Sequence, residues 1–204
     1  DMEIPHFVAI DETHGYWFVT TIQAGFVGMY DLDQDILIHA IDLGSGSVPA
    51  ILAVDKDNQM LYVSKMMNTS GNNELGALDY SSGLLVDAGS INLAVGNVES
   101  FPQPHAISFS SGTPIGQNLV TASFTGDWLS MTKLDTDSGD LNPQAYPFNE
   151  EDDAVFLKNE LFPLSVTQKD GLMFFSCNGN ASINGQVQSW GVLAHDQKDI
   201  YEFD

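Results

Sequence analysis

Pro49-Ala50-Ile51-Leu52-Ala53-Val54-Asp55, followed by Met60-Leu61-Tyr62-Val63-Ser64 and then Leu75-Gly76-Ala77-Leu78-Asp79, is the stretch on which the fold turns. Each run is short, apolar and bounded by turn residues, the pattern of successive antiparallel strands. The same order recurs elsewhere. Pro5-His6-Phe7-Val8-Ala9-Ile10-Asp11 precedes Tyr16-Trp17-Phe18-Val19-Thr20 and Val27-Gly28-Met29-Tyr30-Asp31. Pro104-His105-Ala106-Ile107 precedes Asn118-Leu119-Val120-Thr121-Ala122 and Leu129-Ser130-Met131. Pro163-Leu164-Ser165-Val166 precedes Leu172-Met173-Phe174-Phe175-Ser176 and Gln186-Val187-Gln188-Ser189-Trp190.

The prolines at 5, 49, 104 and 163 mark units of 44, 55, 59 and 42 residues. A repeat of this length built of short strands is the sequence form of a β-propeller. The expected fold class is therefore all-β, with four-stranded antiparallel blades near 5–48, 49–103, 104–162 and 163–204. In the first unit the strands are expected at 6–11, 16–22, 26–31 and 36–42, with Asp and Gly in the turns. Residues 112–117 and 142–161 read as lengthened loops of the third unit, and 154–161 as a brief helical turn. Proline suits the start of each first strand, where the hydrogen-bond ladder has not begun. Continuous apolar runs such as Phe7-Val8-Ala9-Ile10 fit strands covered on both sides by neighbouring blades.

The pattern resembles the YVTN-type β-propeller repeats of bacterial surface and periplasmic proteins, also seen in the propellers of nitrous-oxide reductase and cytochrome cd1. Tyr62-Val63-Ser64, Trp17-Phe18-Val19-Thr20 and Leu119-Val120-Thr121-Ala122 match on second strands, and Asp31, Asp79 and Asp135 match the aspartate that closes the third. The resemblance implies six to eight blades, an extracellular, cell-surface or periplasmic location and no fixed activity, since propellers host many. Four blades leave sheet faces bare. The chain is thus expected to be part of a longer protein, or to have its open faces covered by a protein partner or by self-assembly.

Charge narrows the partners. Lys and Arg number 6 against 28 Asp and Glu, a net charge of −22. Such a surface repels nucleic acid and anionic lipid. No run of 18 apolar residues is present, so no membrane-spanning helix is expected. Cys177 is the single cysteine, set in an apolar strand, and reads as a packed thiol.

Two constellations could carry chemistry. His6 and His105 hold the same place beside the first proline of their units, and the resemblance to nitrous-oxide reductase implies copper at comparable channel positions. Asp31, Asp33 and Asp35, and Asp135, Asp137 and Asp140, place carboxylates as calcium loops do. Neither run has glycine sixth and glutamate twelfth, and both fall where a hairpin turn is needed. No nucleophile elbow or ordered triad stands out. His14 and His195 read as turn residues, His39 as a residue of an outer strand, and Trp17, Trp128 and Trp190 as core between blades. The leading expectation is a non-catalytic binding or structural propeller. A copper-dependent redox domain and a lactonase-like hydrolase are the alternatives.

Overall fold

In the computed structural model the described residues are 4–44, 46–66, 74–94, 102–113, 116–125, 128–134, 141–147, 163–169, 172–177, 191–195 and 200–203. They form sixteen strands in four antiparallel sheets of four, each in chain order, with no helix among them. Blade 1 comprises β1 (Pro5–Asp11), β2 (Tyr16–Thr21), β3 (Phe26–Asp31) and β4 (Leu37–Asp42). Blade 2 comprises β5 (Pro49–Asp55), β6 (Met60–Lys65), β7 (Glu74–Asp79) and β8 (Val86–Asn92). Blade 3 holds β9 (Pro104–Thr113), β10 (Gly116–Ser123), β11 (Trp128–Leu134) and β12 (Leu141–Pro147). Blade 4 holds β13 (Pro163–Lys169), β14 (Leu172–Cys177), β15 (Gly191–His195) and β16 (Ile200–Phe203). The fold is all-β and of the β-propeller type. Two compact units, residues 1–92 and 93–204, each contain one pair of blades.

All four first strands begin at the expected prolines, and the local geometry explains why. Ile4, Val48 and Gln103, each just before a proline, have left-handed φ values of 54°, 45° and 50°. This conformation is costly for a side chain branched at Cβ, about 1–2 kcal/mol per residue. Each is held by one backbone bond from just past the second strand: Ile22, Met66 and Phe124 donate to the carbonyls of Ile4, Val48 and Gln103 at 3.0, 3.1 and 2.8 Å. A register shift follows the proline in all four blades. Such a bulge leaves an amide without a ladder partner. Second-strand hydroxyls supply one: Phe7 N–H donates to Thr20 Oγ1 at 3.1 Å and Ile51 N–H to Ser64 Oγ at 2.9 Å. The small polar residue ending Trp17-Phe18-Val19-Thr20 and Tyr62-Val63-Ser64 is thus a bulge cap.

Within the first unit, β5 packs on β1 and β2. Phe18, Val27 and Met29 of blade 1 form one core with Leu52, Leu61, Val63 and Leu78 of blade 2. Within the second unit, β13 packs on β9 and β10.

Several sequence expectations shift. The third strand of blade 4 is Gly191–His195 rather than 186–190, because Val192-Leu193-Ala194 offers the apolar run that pairs with Phe174 to Ser176. His195 therefore ends a strand rather than lying in a turn. Leu141–Pro147, whose residues 142–147 were expected to be loop, is the outer strand of blade 3, where Pro143 and Pro147 are tolerated at a sheet edge. Residues expected in the lengthened first turn of that blade instead extend β9 to Thr113 and start β10 at Gly116. The brief helical turn expected at 154–161 lies outside the described residues, as does Trp190.

Candidate functional site

The residue after each opening proline is His6, Ala50, His105 or Leu164, and this position makes the links between paired blades. Thr20 Oγ1 donates across to the Ala50 carbonyl at 2.7 Å. His105, 5% exposed, places Nδ1 2.8 Å from the Leu164 carbonyl, and its ring lies 5.5 Å from that of Phe124. A carbonyl only accepts, so Nδ1 carries the proton and Nε2 the lone pair of the neutral ring. His6 lies exposed near the start of β1. The two histidines belong to separate units. Among the described residues no three His, Cys, Asp or Glu side chains lie together as a metal donor set.

The first aspartate run builds a turn. Asp31 Oδ1 accepts the amides of Asp33 and Gln34 at 3.0 and 2.8 Å, while Asp33 and Asp35 are exposed. Asp79 does the same for the Ser81 amide at 2.7 Å. Asp135, Asp137 and Asp140 lie outside the described residues.

Sequence reading missed the most connected polar group of the first unit. Asp11, fully buried at the end of β1, accepts the Thr13 and His14 amides on Oδ1 at 3.0 and 3.2 Å. Its Oδ2 accepts His14 Nδ1 and the Tyr80 hydroxyl, each at 2.7 Å. Tyr80 is also fully buried, and reaches Asp11 from the turn between β7 and β8 of the neighbouring blade. Phe18 packs on its ring at 5.0 Å, with the Tyr16 edge at 6.2 Å. Burial pushes the Asp11 carboxyl up, but the bonds from Tyr80 and His14 and the nearby imidazole outweigh it, so its pKa is net lowered. Tyr80 moves upward, through burial first and then through the Asp11 carboxylate it donates to. Asp55, the counterpart of Asp11 in blade 2, is buried too and takes both the amide and the side-chain amide of Asn58. The signal available in the sequence was the aspartate closing both Pro-initiated strands.

Blade 1 has a second apolar face, turned away from blade 2. Ile10 opposes Trp17, Trp17 opposes Tyr30 and Tyr30 opposes Leu37, with Val8 opposite Val19 alongside. Directly opposed residues share a face. Trp17 stacks on Tyr30 with centroids 4.0 Å apart and planes 13° from parallel. Trp17 is thus a residue of this face rather than of the core between blades 1 and 2. Val8, Ile10 and Leu37 are 51%, 47% and 50% exposed. The run Phe7-Val8-Ala9-Ile10 is therefore covered on one side only.

No family model and no curated protein matches this sequence. Solved structures do. Hydrazine synthase of Kuenenia stuttgartiensis is 15% identical, with a TM-score of 0.67 over 100% of this chain and 50% of that one. A streptogramin B lyase is 14% identical, with a TM-score of 0.64 over 98% of this chain and 54% of that one. A putative 6-phosphogluconolactonase from Bacteroides uniformis is 14% identical, with a TM-score of 0.64 over 97% and 53%. The likeness is one of fold. The chain spans about half the length of these proteins.

Proposed function

We propose that this chain is a non-catalytic β-propeller module that works outside the cytoplasm, in the periplasm, at the cell surface or beyond it, as a binding or structural part of a larger assembly. The observation that carries this reading is the apolar sheet face of blade 1, a surface suited to being covered by protein. The buried carboxylates of Asp11 and Asp55 support it, since both are engaged in turns and, for Asp11, in joining blades. A net charge of −22 favours solubility and disfavours polyanionic partners. Metal analysis of the purified protein tests the reading. Stoichiometric copper that disappears on combining His6→Ala with His105→Ala would replace it with a redox role.

One comparison favours a second reading, a lactonase-like hydrolase, because a putative 6-phosphogluconolactonase shares the fold. Acid release from gluconolactone, followed by titration with and without a chelator, decides it. Turnover above the uncatalysed rate would establish hydrolysis.

A further inference from the structure

Strand β4 forms the outer side of blade 1. It pairs with β3 on one side, and among the described residues no strand pairs with the other. This free edge lies at the side of the sheet rather than on a face, so blades stacked on either face leave it open. The register says which backbone groups it offers. Leu43 donates to the Gly25 carbonyl at 3.0 Å, so by alternation Ile41 and His39 also exchange bonds with β3. Ala40 and Asp42, both exposed, therefore point their N–H and C=O groups outward.

The outer strands of blades 2 and 3 are guarded against further pairing. In β8 a bulge beside Gly89, φ 103°, bends the ladder, and Asp87 Oδ1 accepts the Gly89 amide at 2.9 Å. β12 carries Pro143 and Pro147. Bulges and edge prolines are ordinary means of blocking an added strand. β4 has neither proline nor glycine. Its register shift falls between Met29 and Tyr30, which leaves 39–42 in regular register with 26–29. Ile36 and Ile38, 57% and 38% exposed, set apolar surface beside this edge.

Charge names the occupant. Asp33 and Asp35 lie exposed just before β4, and Asp42 lies exposed at its end. No Lys or Arg occurs before Lys56, so blade 1 has neither. A second copy of this edge would bring acid against acid, which opposes pairing. A strand with Lys or Arg at its ends would bring the opposite charge to both ends of β4.

We propose that the outer edge of β4 takes up an extended segment of a basic partner protein, apolar in its middle and carrying Lys or Arg at both ends, as an added antiparallel strand. The inference rests on the binding-module reading above and names the chemistry of the partner. Ala40 and Asp42 supply the main-chain bonds, Ile36 and Ile38 the apolar contact, and Asp33, Asp35 and Asp42 the selection for a basic sequence.

The test uses the full chain and a capped peptide, Lys-Ile-Thr-Val-Thr-Ile-Lys, with an Asp-ended counterpart as control. At saturation the Lys-ended peptide should slow amide exchange at Ala40 and Asp42 by about tenfold, the effect of roughly one hydrogen bond each. His39 and Ile41, already bonded to β3, should exchange as before. Ala40→Pro removes an outward donor and should weaken binding about tenfold while circular dichroism stays unchanged. Asp33→Lys with Asp42→Lys should reverse the preference, so that the Asp-ended peptide binds better. Absence of protection at ~1 mM peptide, the weak end of measurable affinity, overturns the proposal. Binding that is indifferent to Ala40→Pro, or equal for the two peptides, overturns it as well. Concentration-dependent protection of Ala40 and Asp42 in the chain alone, with a doubled mass, also overturns it and gives the edge to a second copy. Lactone turnover or stoichiometric copper sinks the binding-module reading alone, whereas absent protection with neither of these sinks the strand addition alone.

Discussion

The Tyr80 hydroxyl donates to the Asp11 carboxylate at 2.7 Å across 69 residues of sequence, joining two turns that belong to different blades. Neither side chain reaches solvent. Packing between the sheets and the electrostatics of their turns therefore converge on one carboxylate.

Tyr80→Phe removes one donor to a buried charge and keeps the ring that Phe18 packs against. A hydrogen bond to a charged group contributes about 1.5–3 kcal/mol. A loss of that size should appear in the urea unfolding of the first unit. With Asp11→Asn as the partner substitution, the double-mutant cycle should return a coupling of about 0.5–3 kcal/mol.

Asp11 also sets an acid limit. Its folded pKa is lowered, so its contribution to stability is complete above the unfolded carboxylate value of about 4. That contribution disappears as pH falls through the depressed folded value. Melting temperature measured from pH 6 down to pH 2 should fall less steeply in Asp11→Asn. In Tyr80→Phe the fall should be smaller and should level off at a higher pH, because the folded carboxyl, with one donor fewer, is less depressed.

Tyr62 and Tyr80 resist ionisation for a common reason, burial first and nearby acid second. Both are raised, so stability is complete below the unfolded phenol value of about 10 and declines as pH rises beyond it. Absorbance of phenolate at alkaline pH should show these two rings titrating only as the first unit unfolds.

Gly15 and Gln59 close equivalent turns with φ values of 76° and 52°. Gly15→Ala should destabilise by about 1 kcal/mol and Gln59→Gly should stabilise by about 0.5–1 kcal/mol, since only glycine takes this conformation without strain. Gly25→Ala should cost more than Gly15→Ala. At φ 74° its Cβ would sit 2.9 Å from the Gly44 carbonyl, whereas nothing lies within 4 Å at Gly15. Thermal melts of the three variants check the order.

Thr20→Val keeps shape and removes the hydroxyl that takes the Phe7 amide and reaches the Ala50 carbonyl. A cost of about 1–3 kcal/mol follows from two backbone groups left without partners. Hydrogen exchange at Phe7 should accelerate, while Thr20→Ser should retain protection.

Local signals carried the architecture into the sequence. The four prolines locate all four first strands because each marks a bulge that tolerates a missing amide donor. The outer strand of blade 3 was harder to place, since an edge strand accepts proline and polar residues and loses its alternation. The third strand of blade 4 was misplaced because two short strand-like runs, 186–190 and 191–195, adjoin in the sequence. The link from Asp11 to Tyr80 was not legible at all. Nothing about a tyrosine in a turn reveals that a carboxylate from another sheet will stand over it. His6 and His105 share a place in the repeat, yet the described structure gives His105 a carbonyl in the next blade and leaves His6 exposed.

The bonds from Thr20 to Ala50 and from His105 to Leu164 run the same way: in both, the donor precedes its acceptor along the chain. During synthesis the donating strand therefore leaves the ribosome first and awaits its successor. In each of these two pairs the later sheet meets a template that already carries the group it must bond, which gives the pair a built-in order of growth from the amino end.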